Sequence, residues 1–337
     1  MKKSASWINL EKAMSERILV LDGAMGSLIQ EYKLEEEDFR GERWKNHPTS
    51  VKGNNDMLVI SQPQIIQEIH ARYFAAGADL IETNTFSGTT VSMADYGMEE
   101  DVYDLNFAGA KIAKEVADEF TTKEPHKPRF VVGAIGPTTK IASMSPDVND
   151  PGYRDITFDE LHQAYALQIK ALLDGGSDIL LVETITDTLN AKACLFAIQE
   201  EFEKRGEMFP VMVSGTITDA SGRTLSGQTA EAFLISVSHV PLLSIGFNCA
   251  LGAKMMKPYL KVLADNAPFS TSAHPNAGLP NEFGAYDETP EQMVIQIREF
   301  LEEDMINIIG GCCGTTPEHI QAIAACAAEY KPRKVDI

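Results

Sequence analysis

Eight short runs rich in β-branched residues, at 18–22, 80–85, 130–135, 179–183, 211–216, 244–248, 270–274 and 306–309, alternate with eight helical stretches. The helical stretches lie at 63–76, 105–120, 158–173, 188–204, 230–240, 253–265, 290–301 and 317–328. Several of them repeat their apolar residues at the 3.6-residue period of a helix that packs one face on a sheet. Strict strand–helix alternation points to parallel strands, each joined to the next by a helical crossover. Eight such units close a barrel, whose typical size is about 250 residues. The chain has 337 residues, and most of the excess lies in a leader over 1–16 and a loop over 23–62. An open doubly wound sheet competes, but it needs a reversal of strand order and usually has fewer strands. The pattern predicts the α/β class and a (β/α)8 TIM-type barrel with a long first β-α loop.

No linker divides the chain. The expected organisation is an N-terminal leader helix over 1–16, one barrel over 17–329, and a charged tail over 330–337. The polar joint at 121–129 reads as a helix-to-strand loop. No apolar stretch nears the roughly 18 residues that cross a bilayer, and the two lysines near the start precede no apolar core of a signal peptide. Net charge is −20 with no basic stripe, which argues against nucleic acid as a partner. The five cysteines are odd in number and sparse. They argue against a disulfide framework and for a reducing, cytoplasmic location.

Chemistry in such a barrel collects where the strands end. Those ends carry Asp22-Gly23, Glu82-Thr83-Asn84, Gly136-Pro137, Glu183-Thr184, Gly215-Thr216, Asn248-Cys249, His274-Pro275-Asn276 and Cys312-Cys313. Cys312 and Cys313 sit in a glycine-rich turn, Gly310 to Gly314, before a helix with Thr316 as N-cap and Pro317 at its first position. With Cys249 they can meet at one point of the rim. Three thiolates match a zinc site with one position open; a vicinal disulfide or three packed cysteines are the alternatives. Cys194 and Cys326 fall inside helical runs and read as small buried hydrophobes.

Three thiolates leave zinc soft, and a substrate thiol suits the fourth position better than water does. A free thiol, with a pKa near ~8.5, is mostly protonated at pH 7, and coordination removes its proton. Asp22, Glu82 and Glu183 can pair with an α-ammonium, while Gly23 and Thr83 can offer donors to an α-carboxylate. Hydrogen bonding of these acids to loop backbone is the other reading. The stretch 219–227 lacks the P-loop and dinucleotide signatures and reads as an ordered rim loop. His274 is a possible base or ligand, but a structural hydrogen-bonding role is preferred.

Several stretches together resemble a known family. Gly-Phe-Asn-Cys249 and Gly-Gly-Cys312-Cys313-Gly are similar to the zinc signature of homocysteine S-methyltransferases. Leu-Asp22-Gly-Ala-Met-Gly, Glu82-Thr-Asn-Thr-Phe, Ser145-Pro-Asp-Val-Asn-Asp-Pro, the run from Ser214 to Gln228, and Ala273-His-Pro-Asn-Ala-Gly-Leu-Pro280 narrow the match. They resemble the homocysteine-binding module of cobalamin-dependent methionine synthases, in order, from about 18 to 328. The resemblance implies zinc on Cys249, Cys312 and Cys313, with Asp22, Gly23, Thr83 and Glu183 around the amino-acid end of homocysteine. It places Asn276 near zinc as a weak ligand or substrate contact. It implies methyl transfer from methylcobalamin to homocysteine, giving methionine and cob(I)alamin, with methyltetrahydrofolate remethylating the cobalamin.

One departure is large, because that family's enzyme is several times longer. The cobalamin-binding and methyltetrahydrofolate-binding modules would be partners in cis or in trans, and the tail over 330–337 would begin the link to them. The chain is then expected to be a fragment or one half of a split enzyme. A stand-alone methyltransferase using a sulfonium or betaine donor, and a non-enzymatic barrel with structural zinc, are the alternatives.

Overall fold

A computed structural model describes residues 1–219 and 221–335. Eight parallel strands form one sheet: β1 (Leu19–Val20), β2 (Leu80–Glu82), β3 (Phe130–Ile135), β4 (Ile179–Ile185), β5 (Val211–Gly215), β6 (Ser244–Gly252), β7 (Ser270–Asn276) and β8 (Ile308–Ile309). From β2 onward each strand pairs with the next in sequence, and β8 pairs back onto β1. Only the β1–β2 seam lacks a ladder. A single parallel bridge, Leu21 to Leu80, closes it, helped by Asp22 N–H to Leu80 O at 3.0 Å and Asp79 N–H to Val20 O at 2.7 Å. The α/β barrel expected from the alternation is the fold observed.

The outer ring consists of α1 (Pro63–Ala75), α2 (Val102–Lys123), α3 (Phe158–Asp174), α4 (Thr188–Arg205), α5 (Ala230–Val237), α6 (Ala253–Asn266), α7 (Pro290–Glu302) and α8 (Pro317–Ala327). Local chemistry starts several of them. Thr157, Thr289 and Thr316 cap α3, α7 and α8 in reciprocal capping boxes with Glu160, Gln292 and His319. Cys194 and Cys326 are buried in α4 and α8, as small apolar residues would be.

The barrel has two cores. One lies between the helices and the sheet. The other fills the barrel interior with Leu19, Leu21, Leu80, Phe130, Val132, Ile179, Leu181, Met212 and Ile308. Leu10, Ala13 and Met14 belong to that inner cluster, on a leader helix (Ala5–Glu16) whose N-cap is Ser4. The helix caps the end where the strands begin, and a short parallel pair, Lys2–Lys3 with Glu207–Met208, tacks it down. No helix among the described residues is long and apolar enough to cross a membrane.

Boundaries differ from the sequence reading where side-chain contacts override the apolar run. β8 spans only two residues, although Asn307 before it still bonds both neighbours: its N–H reaches Thr271 O at 2.8 Å, its carbonyl accepts Leu19 N–H at 3.0 Å, and its Oδ1 takes Thr271 N–H at 2.9 Å. β6 runs four residues past its apolar stretch, with a break in register between Asn248 and Gly252. Within that break Cys249 and Ala250 adopt left-handed backbone, φ 60° and 57°. The long first loop carries short helices at Met25–Glu31, Glu36–Arg40 and Leu58–Ser61 and buries Phe39, Trp44, Val51 and Met57 against the barrel.

The inner cluster gives a direct test of the leader helix. Leu10→Ala removes a fully buried side chain from the barrel floor and should cost about 2–5 kcal/mol in urea unfolding, with little change in metal content. A loss below 0.5 kcal/mol would show that the leader does not hold the core.

Candidate active site

A cavity of about 340 Å³ opens at the C-terminal ends of the strands. Asp22, Gly23, Thr83, Glu183, Cys249, Cys312 and Cys313 all line it, although they come from five different strand ends. Asn276 does not. It is buried at the end of β7, with its Oδ1 unpaired. Residues 53–56 of the long first loop enter from the side.

The cysteine corner is built by backbone. The left-handed turn at Cys249 interrupts the strand pairing just where β6 reaches the rim, a costly conformation held only by its surroundings. On the facing turn, Cys312 N–H bonds Pro275 O at 2.9 Å and Cys313 O accepts Ala277 N–H at 3.0 Å, so the pair is clamped to β7. Thr315 Oγ1 bonds Cys312 O at 2.7 Å. Gly314 has φ +79°, and a Cβ there would lie 2.3 Å from Tyr286 Cβ, so only glycine fits.

The three Sγ atoms lie within 4.8 Å of one another, and Cys249 Sγ is 3.7 Å from Cys313 Sγ. A tetrahedral zinc with Zn–S bonds of about 2.3 Å would set its sulfurs about 3.8 Å apart. The donor set therefore fits a zinc ion. All five cysteines are free thiols, so no vicinal disulfide is present. Hydrogen bonds from Cys249 and Cys312 hold the Cys313 thiol down at about 3, while the same sulfur contacts push Cys312 well above its ordinary range.

Across the cavity stand buried acids. Burial and the neighbouring Glu82 push Asp22 well up; burial takes Glu82 to about 7; burial and Glu82 push Glu183 well up. Asp22 Oδ2 accepts Glu82 N–H at 3.1 Å, but Glu183 Oε1 has no partner. Among the described residues no lysine or arginine lines this space. Three acids without a counter-charge favour a cationic guest, as the α-ammonium reading requires.

Gly23 and Thr83 differ as donors. Among the described residues Gly23 N–H makes no hydrogen bond, and Gly23 lines the cavity. Thr83 N–H is spent on Val132 O at 2.9 Å. Its hydroxyl takes Ala134 N–H at 3.0 Å and meets Thr85 Oγ1 at 2.6 Å, while Thr85 donates onward to Ala134 O. Thr83 thus contributes wall and backbone geometry, not the free donor expected of it. His274 also departs from expectation. Neither ring nitrogen has a partner, and burial lowers its pKa to about 4, so a neutral imidazole faces the cavity without the structural hydrogen bond. The rim loop over 219–227 does not line the cavity; Ser226 N–H bonds Thr186 O at 3.0 Å, and Ala220 lies outside the described residues.

Two lining residues had no assigned role in the sequence. Asn248 bonds Thr184, Ser214 and Glu183; its signal was a polar residue ending an apolar strand beside Cys249. Asp56 comes from the patternless first loop, and only folding shows that it is buried, with Oδ2 on Ser87 N–H at 2.7 Å. Burial raises Asp56 to about 7.

That shift predicts a pH effect. From about pH 4 to 7 the folded chain keeps a proton on Asp56 that the unfolded chain has lost, so stability falls as pH rises through this window. In ligand-free protein, Asp56→Asn should flatten that fall by an amount on the order of a few kcal/mol, read from urea melts at pH 4.5, 6 and 8. Identical slopes in both proteins would contradict the assignment.

Two solved structures share this architecture. The metallated form of the homocysteine methyltransferase MmuM from Escherichia coli is 21% identical, with 94% of this chain and 98% of that chain covered and a TM-score of 0.71. Its apo form is 20% identical over 94% and 97%, with a TM-score of 0.67. At these identities the likeness speaks for the fold. The sequence model of the homocysteine S-methyltransferases matches residues 19–327, nearly the whole barrel, and the chain belongs to that family.

Proposed function

We propose that this chain is the zinc-dependent, homocysteine-activating module of a methionine synthase, taking its methyl group from methylcobalamin carried by a separate module. The observation that carries the reading is the open corner of three thiols facing buried acids across one cavity. Cys249, Cys312 and Cys313 would hold the metal. Zinc bound there supplies the Lewis acid that replaces the proton on homocysteine sulfur.

The chain's own residues do the rest. Glu183, Asp22 and Glu82 receive the α-ammonium, and in doing so regain the ionised form that burial disfavours. Gly23 N–H receives the α-carboxylate. Asn276, buried at the end of β7 with an unpaired Oδ1, is assigned a weak contact to the metal or to the substrate. Homocysteine sulfur forms its new bond to the methyl carbon as the donor's bond to that carbon breaks, giving methionine.

The run of stretches from Leu21 to Pro280 that resembles methionine synthases favours methylcobalamin. Asp56 favours a second reading: another acid beyond the substrate acids would welcome a cationic sulfonium or betaine donor. The donors separate the readings. Turnover with methylcobalamin and none with S-methylmethionine or betaine supports the first; the reverse overturns it.

Metal and proton release test the shared core of both. Purified protein should hold about one zinc, and Cys249→Ser or Cys312→Ser should lose it. Calorimetric titration with homocysteine in buffers of different ionisation heat should show release of about one proton per thiol near pH 7, fading above ~8.5. A folded, metal-free wild type that ignores homocysteine would defeat the proposal.

A further inference from the structure

The side-chain amide of Asn248 lies between the two halves of the cavity. Its Oδ1 accepts Thr184 N–H at 2.9 Å and the Ser214 hydroxyl at 2.7 Å. A main-chain N–H can only donate, so the atom facing Thr184 is the amide oxygen. Nδ2 is then the donor of the amide. It donates to Thr184 Oγ1 at 2.8 Å and reaches both Glu183 Oε2, at 3.4 Å, and Cys312 Sγ, at 4.0 Å. The residue's carbonyl is also held, by Thr216 Oγ1 at 3.0 Å. Asn248 is 1% exposed and Ser214 is fully buried. One fixed donor thus touches an acid on one side and a thiol on the other.

We propose that Asn248 is a positioning residue that sets the separation between Glu183 and the cysteine corner, and so selects an amino thiol of homocysteine's length over cysteine. The inference rests on the function proposed above. An amino thiol is held at two points, its ammonium and its sulfur, and the distance between them grows with each methylene. Two anchors tied to one rigid amide cannot close up to accept a chain one methylene shorter. Two anchors tied to nothing can. A site that discriminates one methylene does so by about 10- to 200-fold. Of the two hydrogens on Nδ2 one goes to Thr184 Oγ1, and the other is left to be shared between the acid and the thiol.

Zinc-loaded wild type, Asn248→Ala and Ser214→Ala should be titrated calorimetrically with L-homocysteine and L-cysteine. Wild type should prefer homocysteine by at least about tenfold. Asn248→Ala should lose most of that ratio. Ser214→Ala, which loosens the amide without removing it, should lose part. Cobalt(II)-loaded Asn248→Ala should also show its thiolate-to-metal charge-transfer band at lower energy, because a sulfur relieved of an N–H donates more freely. A folded Asn248→Ala protein with the ratio and band of wild type overturns the inference. If that variant does not fold, an unchanged ratio in Ser214→Ala overturns it. A wild type that binds metal and homocysteine but not selectively sinks this inference alone, whereas one that binds neither sinks the proposed function with it.

Discussion

The ring of strand ends depends on one seam. Between β1 and β2 there is a single bridge, and the carboxylate of Asp79 does much of what a ladder would do elsewhere. It accepts Val20 N–H at 2.9 Å and is paired with Arg17 at 2.8 Å, almost fully buried. A charge-assisted bond to backbone in a dry site outweighs an ordinary ladder bond. Just beyond the bridge, Asp22 Oδ2 takes Glu82 N–H at 3.1 Å. The bonds that shut the barrel therefore also set two of the cavity's acids side by side. Were the seam open, the two acids would part and the cavity would lose one wall.

Closure has an electrostatic consequence. Parallel strands in a ring deliver all their C-terminal ends to one rim, so polar residues from remote parts of the chain are gathered into about 340 Å³. Here they include three thiols and four acids, with no lysine or arginine among them. In a low-dielectric space such a set is poorly stable as anions, and the acids respond by holding protons to higher pH. Cationic guests relieve that repulsion. A metal at the thiols and an ammonium at the acids answer the two halves of the site separately, and both fit an amino-acid thiol. Asn248 is the neutral group between the halves, donating to both.

Backbone strain is placed at the same point. Thr184 and Cys249 both have left-handed backbone, φ 52° and 60°, and both border the cavity. Asn248 bonds Thr184 through main chain and side chain together, so the strained turn of one strand is held by the residue before the strained turn of another. Such coupling turns two locally unfavourable conformations into one rigid unit.

Much of the barrel was legible because its signals are local. β-branched runs, apolar helical spacing and capping threonines state their structure within a few residues, and eight repeats left little choice of architecture. The paired cysteines were legible for the same reason: a glycine turn before Thr316-Pro317 announces a strand-to-helix joint. The donors of Thr83, the unpaired ring of His274 and the burial of Asp56 were not legible, since each depends on which distant backbone group arrives opposite. The sequence by itself determined the number and order of the units, and hence which residues would stand at the rim. Only the tertiary structure decided that Cys249 lies 3.7 Å from Cys313, that Asn276 is buried with an unpaired Oδ1, and that Asn248 bridges acid and thiol. Those are distances across the ring, and a periodic pattern along the chain carries no information about them until the barrel closes.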